Sequence, residues 1–326
     1  MTAVAVEPAA GLPDGFDRLA AAWAFKPHRW IRGVPPAALD RMLTERISGT
    51  LECPDAGAWT ARCDGLLTGL AVLQPLDWDS RVLGFGAARL ELLVAAPPGA
   101  SMAVADALLA RAVAEAERRG LRHISSRVDA ADAAAVQGLE MRGFVNVDAL
   151  LTFQAGVEEV AACAPIPGVV LRRGSVLDAP LVGEMAAASF RHGRFHSDFA
   201  IPAEAAAAVY RTWAAACCEG TAADAVIVAT LDDRLAGFVA CRVVPETAVH
   251  LQRPTGTIPL IATAGSARGR GIGRALVAAA AGWCREHDLV SVDVGTQLSN
   301  VAAARLYEGC GFRLVAGSLS FRLLIG

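Results

Sequence analysis

The sequence predicts an α/β (α+β) protein made of two tandem copies of one unit, each a mixed, mostly antiparallel sheet flanked by helices. Three observations carry this. Ala162 to Gly168 holds Pro165, Pro167 and Gly168 within seven residues, the composition of a linker. On either side of it the chain matches itself at an offset of 168 residues, without a gap, over about sixty positions. Near the end of each copy, apolar runs of strand length alternate with helical spacing. The expected domains are therefore 1–162 and 169–326.

The repeat rests on polar and glycine positions as well as apolar ones. Asp132-x-x-Ala135 matches Asn300-x-x-Ala303, Glu140 matches Glu308, and Gly143-Phe144 matches Gly311-Phe312. Leu108 matches Leu276 and Phe153 matches Phe321. In the second copy, Val226–Leu231 and Leu235–Val244 flank Asp232-Asp233 and read as a hairpin. Thr257–Thr263 reads as a buried strand followed by a glycine loop. Ile272, Leu276, Ala280, Trp283 and Cys284 then fall on one face of a helix. Val290–Val294 is the next strand, Val301–Glu308 a short helix and Phe312–Leu324 the closing strand.

Composition narrows the function classes. Of 326 residues, 54% are hydrophobic and 19% charged, enough to bury a large core, although alanine inflates the apolar share. No apolar stretch reaches membrane-spanning length, and the N-terminus lacks a basic start followed by an apolar run. The expectation is a cytoplasmic protein with no membrane partner. A net charge of −3 argues against nucleic acid, which demands clustered Lys/Arg. The eight cysteines show no CxxC pair or Cys/His ligand spacing, so no metal is expected and the thiols read as reduced. Cys217-Cys218 fall on a helical stretch.

The chemistry concentrates in Arg268-Gly269-Arg270-Gly271-Ile272-Gly273, between a strand and an amphipathic helix. Glycines allow close backbone approach and turn N–H groups inward, and the helix adds its positive dipole end. This is an anion site suited to a pyrophosphate, with two arginines to assist. A dinucleotide fingerprint starting at Gly269 would need glycine where Arg274 stands, and a triphosphate loop needs a lysine. The chain's one lysine is Lys26.

Asn300-x-x-Ala303-x-x-Leu306-Tyr307-Glu308-x-x-Gly311-Phe312 follows at a spacing that lets both motifs line one cleft. Arg268-x-x-Gly271-x-Gly273 resembles the coenzyme A signature of the GCN5-related N-acetyltransferase (GNAT) superfamily, and the second run resembles its other conserved segment. The resemblance implies a sheet that splits beside the glycine loop, with acetyl-CoA lying in the split. By this likeness Ile261 and Thr263, with Ala262 between them, offer main-chain groups to the pantetheine and thioester. Arg268, Gly269, Arg270, Gly271, Ile272 and Gly273 cradle the pyrophosphate, and Asn300 and Ala303 lie along the pantetheine. Pro259 departs from this pattern by removing a donor within the strand.

Attack of a neutral amine on a thioester needs a proton acceptor for the amine and a proton for the departing thiolate. Tyr307 fits the second need, since an ordinary phenol stays protonated at neutral pH. The first copy has Leu139 at that position and Ala100, Ala103 and Ala105 where Arg268, Gly271 and Gly273 stand, so it reads as degenerate. For the base, Glu246, His250, His196 and a water chain remain open.

Phe190-Arg191-His192-Gly193-Arg194-Phe195-His196-Ser197-Asp198 runs between the first two helices of the second copy, which in this superfamily wall the acceptor site. Arg191, Arg194 and His196 suit a phosphorylated or acidic small-molecule amine. With Leu76-Asp77-Trp78-Asp79-Ser80, Gly84-Phe85 and Thr296-Gln297 added, the arrangement is similar to the TDP-fucosamine acetyltransferase type. That type acetylates the 4-amino group of a TDP-linked amino-deoxy sugar. The closing strand is free, on this reading, to pair with a second subunit in a homodimer.

Overall fold

Both sheets begin from a tight hairpin whose turn residues sit in left-handed backbone. Asp64-Gly65 has φ of +50° and +79°, and Asp232-Asp233 has +49° and +61°, as a two-residue turn between twisted strands requires. The computed structural model describes residues 4–96 and 101–326. The first copy runs β1 (Val4–Pro8), α1 (Phe16–Ala22), α2 (Pro36–Leu51), β2 (Gly57–Cys63), β3 (Leu66–Pro75) and α3 (Asp77–Leu83). It continues with β4 (Ala87–Ala95), α4 (Ser101–Arg118), β5 (His123–Asp129), α5 (Ala133–Met141) and β6 (Val145–Gly156).

The second copy runs β7 (Val169–Arg173), α6 (Ala179–Ser189), α7 (Arg194–Ser197), α8 (Ala203–Cys218), β8 (Ala225–Leu231) and β9 (Arg234–Val244). There follow α9 (Pro245–Leu251), β10 (Thr255–Ile258), β11 (Ile261–Thr263), α10 (Ile272–Glu286), β12 (Ser291–Gln297), α11 (Val301–Gly309) and β13 (Arg313–Leu324). From β2 onward, the starts of β2, β3, α3, β4, β5, α5 and β6 each recur 168 residues later. The repeat thus reaches well beyond the stretch legible in the sequence. Cys217-Cys218 close α8, and all eight cysteines are free thiols.

One compact unit comprises the described residues up to Ala149 together with Gly317–Gly326; the other comprises Leu150–Ala316. In the first, strands run in the order β1-β2-β3-β4-β5, and the end of β13 lies antiparallel to β5, from Ser318 opposite Asp129 to Leu324 opposite His123. In the second, the order is β12-β10-β9-β8-β7, and the end of β6 lies antiparallel to β12, from Leu150 opposite Gln297 to Gly156 opposite Ser291. Each sheet is therefore completed by the closing strand of the other copy's sequence.

This differs from a division at residues 162–168. The linker composition marks where the chain leaves one copy, but Phe153 and Phe321 hold equivalent positions and fit either core. Phe321 packs with Leu139 and Phe144 in the first unit, and Phe153 with Tyr307 and Phe312 in the second. The closing strand is not free for a second subunit along this edge, because β5 already takes it. Among the described residues, no helix is long and apolar enough to cross a membrane.

Candidate active site

The second unit's sheet opens beyond Ile258, where Pro259 follows. β10 pairs parallel with β12 from Thr255–Ser291 to Ile258–Val294, and there the ladder stops. Pro259 has no N–H to donate, and the expected strand over 257–263 breaks at Pro259-Leu260. β11 resumes against β9 alone, with Ile261 opposite Val239 and Thr263 opposite Gly237. The far end of β12, Gly295–Gln297, pairs only with the end of β6. Ala240 N–H donates to Leu260 O, and Ala264 N–H to Ala236 O. By alternation, Ala262 faces β9 while the main-chain groups of Ile261 and Thr263 face the opening.

The glycine loop stands at the end of this opening. A single turn over Gly265–Ala267 leads into Arg268, and Gly269 and Gly271 take φ of +75° and +81°. Gly271 starts α10 with no side-chain cap, so the first-turn N–H groups of Ile272, Gly273 and Arg274 are left to a ligand or solvent. A Cβ on Gly273 would lie 3.2 Å from Leu306 Cδ2 and 3.7 Å from Thr263 Oγ1, so this turn lies against α11 and β11. Arg268 and Arg270 are exposed, with no ion pair among the described residues. These features fit a pyrophosphate.

Asn300 caps α11, its Oδ1 accepting from Ala303 N–H at 3.2 Å. Asp132 does the same for α5 at 3.1 Å. The repeated Asn/Asp-x-x-Ala is thus a helix N-cap in both copies, worth about 1 kcal/mol. Tyr307, two turns into α11, is 2% exposed, its ring 5.8 Å from Phe153 and 5.9 Å from Phe312. Leu139 holds the matching core position in the first unit, so a bulky apolar group is needed there in any case. Burial, helped by Cys310, lifts the phenol above its ordinary value, so it keeps its proton and can donate it.

The 190–198 segment is wrapped on Tyr210 of α8. Phe190 and His196 lie nearly parallel to its ring, at 4.8 and 5.6 Å, and Phe195 meets its edge at 6.2 Å. Both His196 ring nitrogens are buried without a protein partner, and burial, then Arg191, hold this imidazole below its ordinary value. Arg191 donates from Nε to Ala188 O, while Arg194 stacks on Phe195 at 4.3 Å. His192 reaches the turn before α11, its Nδ1 3.4 Å from Ser299 Oγ. In the sequence His192 reads only as one of the two histidines of this segment and Tyr210 does not stand out, because only the fold brings them to these partners.

Glu246 and His250 lie on α9, which precedes β10, whereas the glycine loop follows β11. The nine positions Thr255–Thr263 between them span roughly 25–30 Å of chain. The first copy's α3 holds the same place: Ser80 Oγ accepts from Ala87 N–H at 2.9 Å, so the Asp77–Ser80 motif is a strand connection.

The first unit opens between β4 and β5 at the matching point, after Leu90–Ser126. Its segment between α1 and α2, however, is bolted to the β5–α5 turn. Trp23 Nε1 donates to Asp132 Oδ2 at 3.1 Å, and Arg29 donates twice to Asp129 Oδ2, at 3.1 and 2.7 Å. Ala100, which the repeat aligns with Arg268, lies outside the described residues. No group of three or more His, Cys, Asp or Glu side chains is set to hold a metal among the described residues.

The acetyltransferase (GNAT) family profile matches residues 191–312, from the segment wrapped on Tyr210 through the α11 motif. That stretch of the second unit is similar to a GNAT-family acetyltransferase domain. A dTDP-fucosamine acetyltransferase of Escherichia coli O6:H1 is 23% identical over 242 residues, covering 74% of this chain and 93% of that protein. Two solved structures share the fold. One is a GCN5-related glucosamine N-acetyltransferase region of a fungal multi-domain GH3 β-N-acetylglucosaminidase, with TM-score 0.64 and 16% identity. The match covers 98% of this chain and 38% of that one. The other is a tandem GNAT protein from the clavulanic acid biosynthesis pathway, with TM-score 0.58, 15% identity and 99% of both chains covered. The tandem GNAT-like architecture thus extends beyond the matched GNAT domain.

Proposed function

We propose that the second unit transfers acetyl from acetyl-CoA to a primary amine, the 4-amino group of a TDP-linked amino-deoxy sugar, and that the first unit is a non-catalytic partner. The observation that carries the donor is the opening between β11 and β12 leading to an uncapped glycine helix start. The acceptor reading draws on the likeness to the dTDP-fucosamine acetyltransferase and on Arg191 and Arg194 in the segment wrapped on Tyr210.

In this reading the thioester supplies an activated acyl carbon, and the chain supplies position and protons. Main-chain groups of Ile261 and Thr263 hold the pantetheine and thioester, with Ala262 fixing β11 to β9. Arg268–Gly273 bind the pyrophosphate, and Asn300 and Ala303 line the pantetheine. Tyr307, whose buried phenol arrives protonated, supplies the proton to the departing thiolate. Arg191, Arg194 and His196 wall the acceptor. In the first unit, Leu139 offers no proton and Ala103 and Ala105 replace two glycines, so no acyl-CoA chemistry is assigned there.

The test is thiol release from acetyl-CoA against a panel of primary amines that includes TDP-4-amino-4,6-dideoxy sugars. Turnover confined to the nucleotide sugars is the expected result. Faster turnover of simpler amines keeps the transferase and discards the sugar. Tight acetyl-CoA binding without turnover of any amine discards catalysis.

A further inference from the structure

We propose that His192 is the base that takes the proton from the acceptor amine, held in position by Ser299. The inference rests on the transferase reading above. Its starting point is a comparison the chain makes with itself. In each copy, the segment between the first two helices meets the turn that follows the parallel strand. In the first unit that meeting is closed by Trp23–Asp132 and the doubled Arg29–Asp129 bond. In the second unit a contact at the matching place is His192 Nδ1 to Ser299 Oγ at 3.4 Å.

That contact sets the imidazole at the turn joining β12, which borders the opening, to α11, which carries Tyr307. With its proton on Nδ1 given to Ser299 Oγ, the ring keeps a lone pair on Nε2. His192 is exposed, so Nε2 is reachable by an incoming amine. The other candidates fit less well. The His196 nitrogens are buried in the aromatic cluster, and Glu246 and His250 sit on α9, beyond the start of β10.

The proton balance closes. An ammonium acceptor gives one proton to His192 Nε2, and its freed lone pair forms the C–N bond to the thioester carbon. The C–S bond then breaks, and the sulfur takes the Tyr307 proton. The second proton of the new amide nitrogen leaves through solvent and restores the phenol, while His192 returns its own to solvent. The charged groups next to His192 on its own segment are Arg191 and Arg194, and α11 beyond Ser299 carries Arg305 and Glu308. The turn Gln297–Asn300 carries none, and on α8 Arg211 is paired with Glu184 at 2.6 Å and Glu204 at 3.6 Å.

The test compares wild type, His192→Gln and Ser299→Ala by kcat/KM against pH and by calorimetry of acetyl-CoA binding. The amine is a TDP-4-amino-4,6-dideoxy sugar, or the fastest amine of the panel. His192→Gln is expected to lower kcat/KM about 10²-fold near neutral pH and to move the acid-side loss of rate up to the range in which the acceptor amine itself takes up a proton, with acetyl-CoA affinity unchanged. Ser299→Ala is expected to keep the acid limb with a smaller loss, as positioning alone predicts. An acid limb at the same pH in His192→Gln as in wild type overturns the proposal and leaves the transferase reading standing. Failure of wild type to bind acetyl-CoA overturns both.

Discussion

Gly193 and the hydroxyl of Tyr210 are so close that a Cβ on Gly193 would lie 1.7 Å from the hydroxyl oxygen and 2.9 Å from Cζ. No side chain fits there without moving one partner, so this glycine is required by approach. Gly193→Ala is expected to displace the acceptor segment, raising KM for the amine at least tenfold while leaving acetyl-CoA affinity intact. Adding Tyr210→Phe removes the nearer clash and should recover part of the loss. Steady-state kinetics on the two single variants and the double variant check this, and equal KM in Gly193→Ala and wild type would show that the Gly193–Tyr210 approach does not position the amine.

The glycine loop predicts a separate defect. Gly271→Glu puts a carboxylate at the uncapped start of α10 and forces a side chain into φ +81°, a conformation costing roughly 1–2 kcal/mol. Calorimetry should show acetyl-CoA affinity falling tenfold or more. Undiminished affinity would dissociate the loop from the cofactor.

Tyr307→Phe keeps the ring against Phe153 and Phe312 and deletes only the hydroxyl. The expected outcome is a loss of roughly 10²-fold in the chemical step, with acetyl-CoA affinity and thermal midpoint nearly unchanged. Single-turnover kinetics beside a melting curve separate this from a packing defect.

The start of α6 carries a pH dependence of stability. Hydrogen bonds from Arg172, opposed by burial and aided by Ser175, hold the Asp178 carboxyl at about 2. An ordinary aspartate lies near 3.9, so folding favours the ionised form. The stabilisation is full above about pH 4 and disappears as pH falls through about 2. Asp178 also closes a capping box with Ser175, so Asp178→Asn should cost about 1 kcal/mol at neutral pH. Urea midpoints across pH 2–7 should show a flatter acid limb in the variant.

The strand exchange predicts an asymmetric response to truncation. Removing residues 317–326 takes Phe321 from the first unit's core and bares the edge of β5, while the second unit's core loses none of its residues. Limited proteolysis should therefore find new cleavage sites between residues 4 and 149, with acetyl-CoA affinity held within about twofold. Cleavage concentrated in 150–316 would contradict the division of the chain.

Local chemistry made much of this protein legible in its sequence. Asp232-Asp233 names its hairpin, the stripe from Ile272 to Cys284 names its helix, and the glycines at 269 and 271 name a backbone that only glycine takes easily. These are properties of a few neighbouring residues, fixed by sterics and periodicity. Partner choice was not legible. An alternating strand reports which face is buried and leaves open which edge it joins, so β6 and β13 read alike although each completes the other copy's sheet. Pro259 looked like a flaw in a strand until the tertiary structure showed it ending a parallel ladder. The contacts of His192 with Ser299 and of Gly193 with Tyr210 join residues far apart in the chain, and only the folded second unit brings them together.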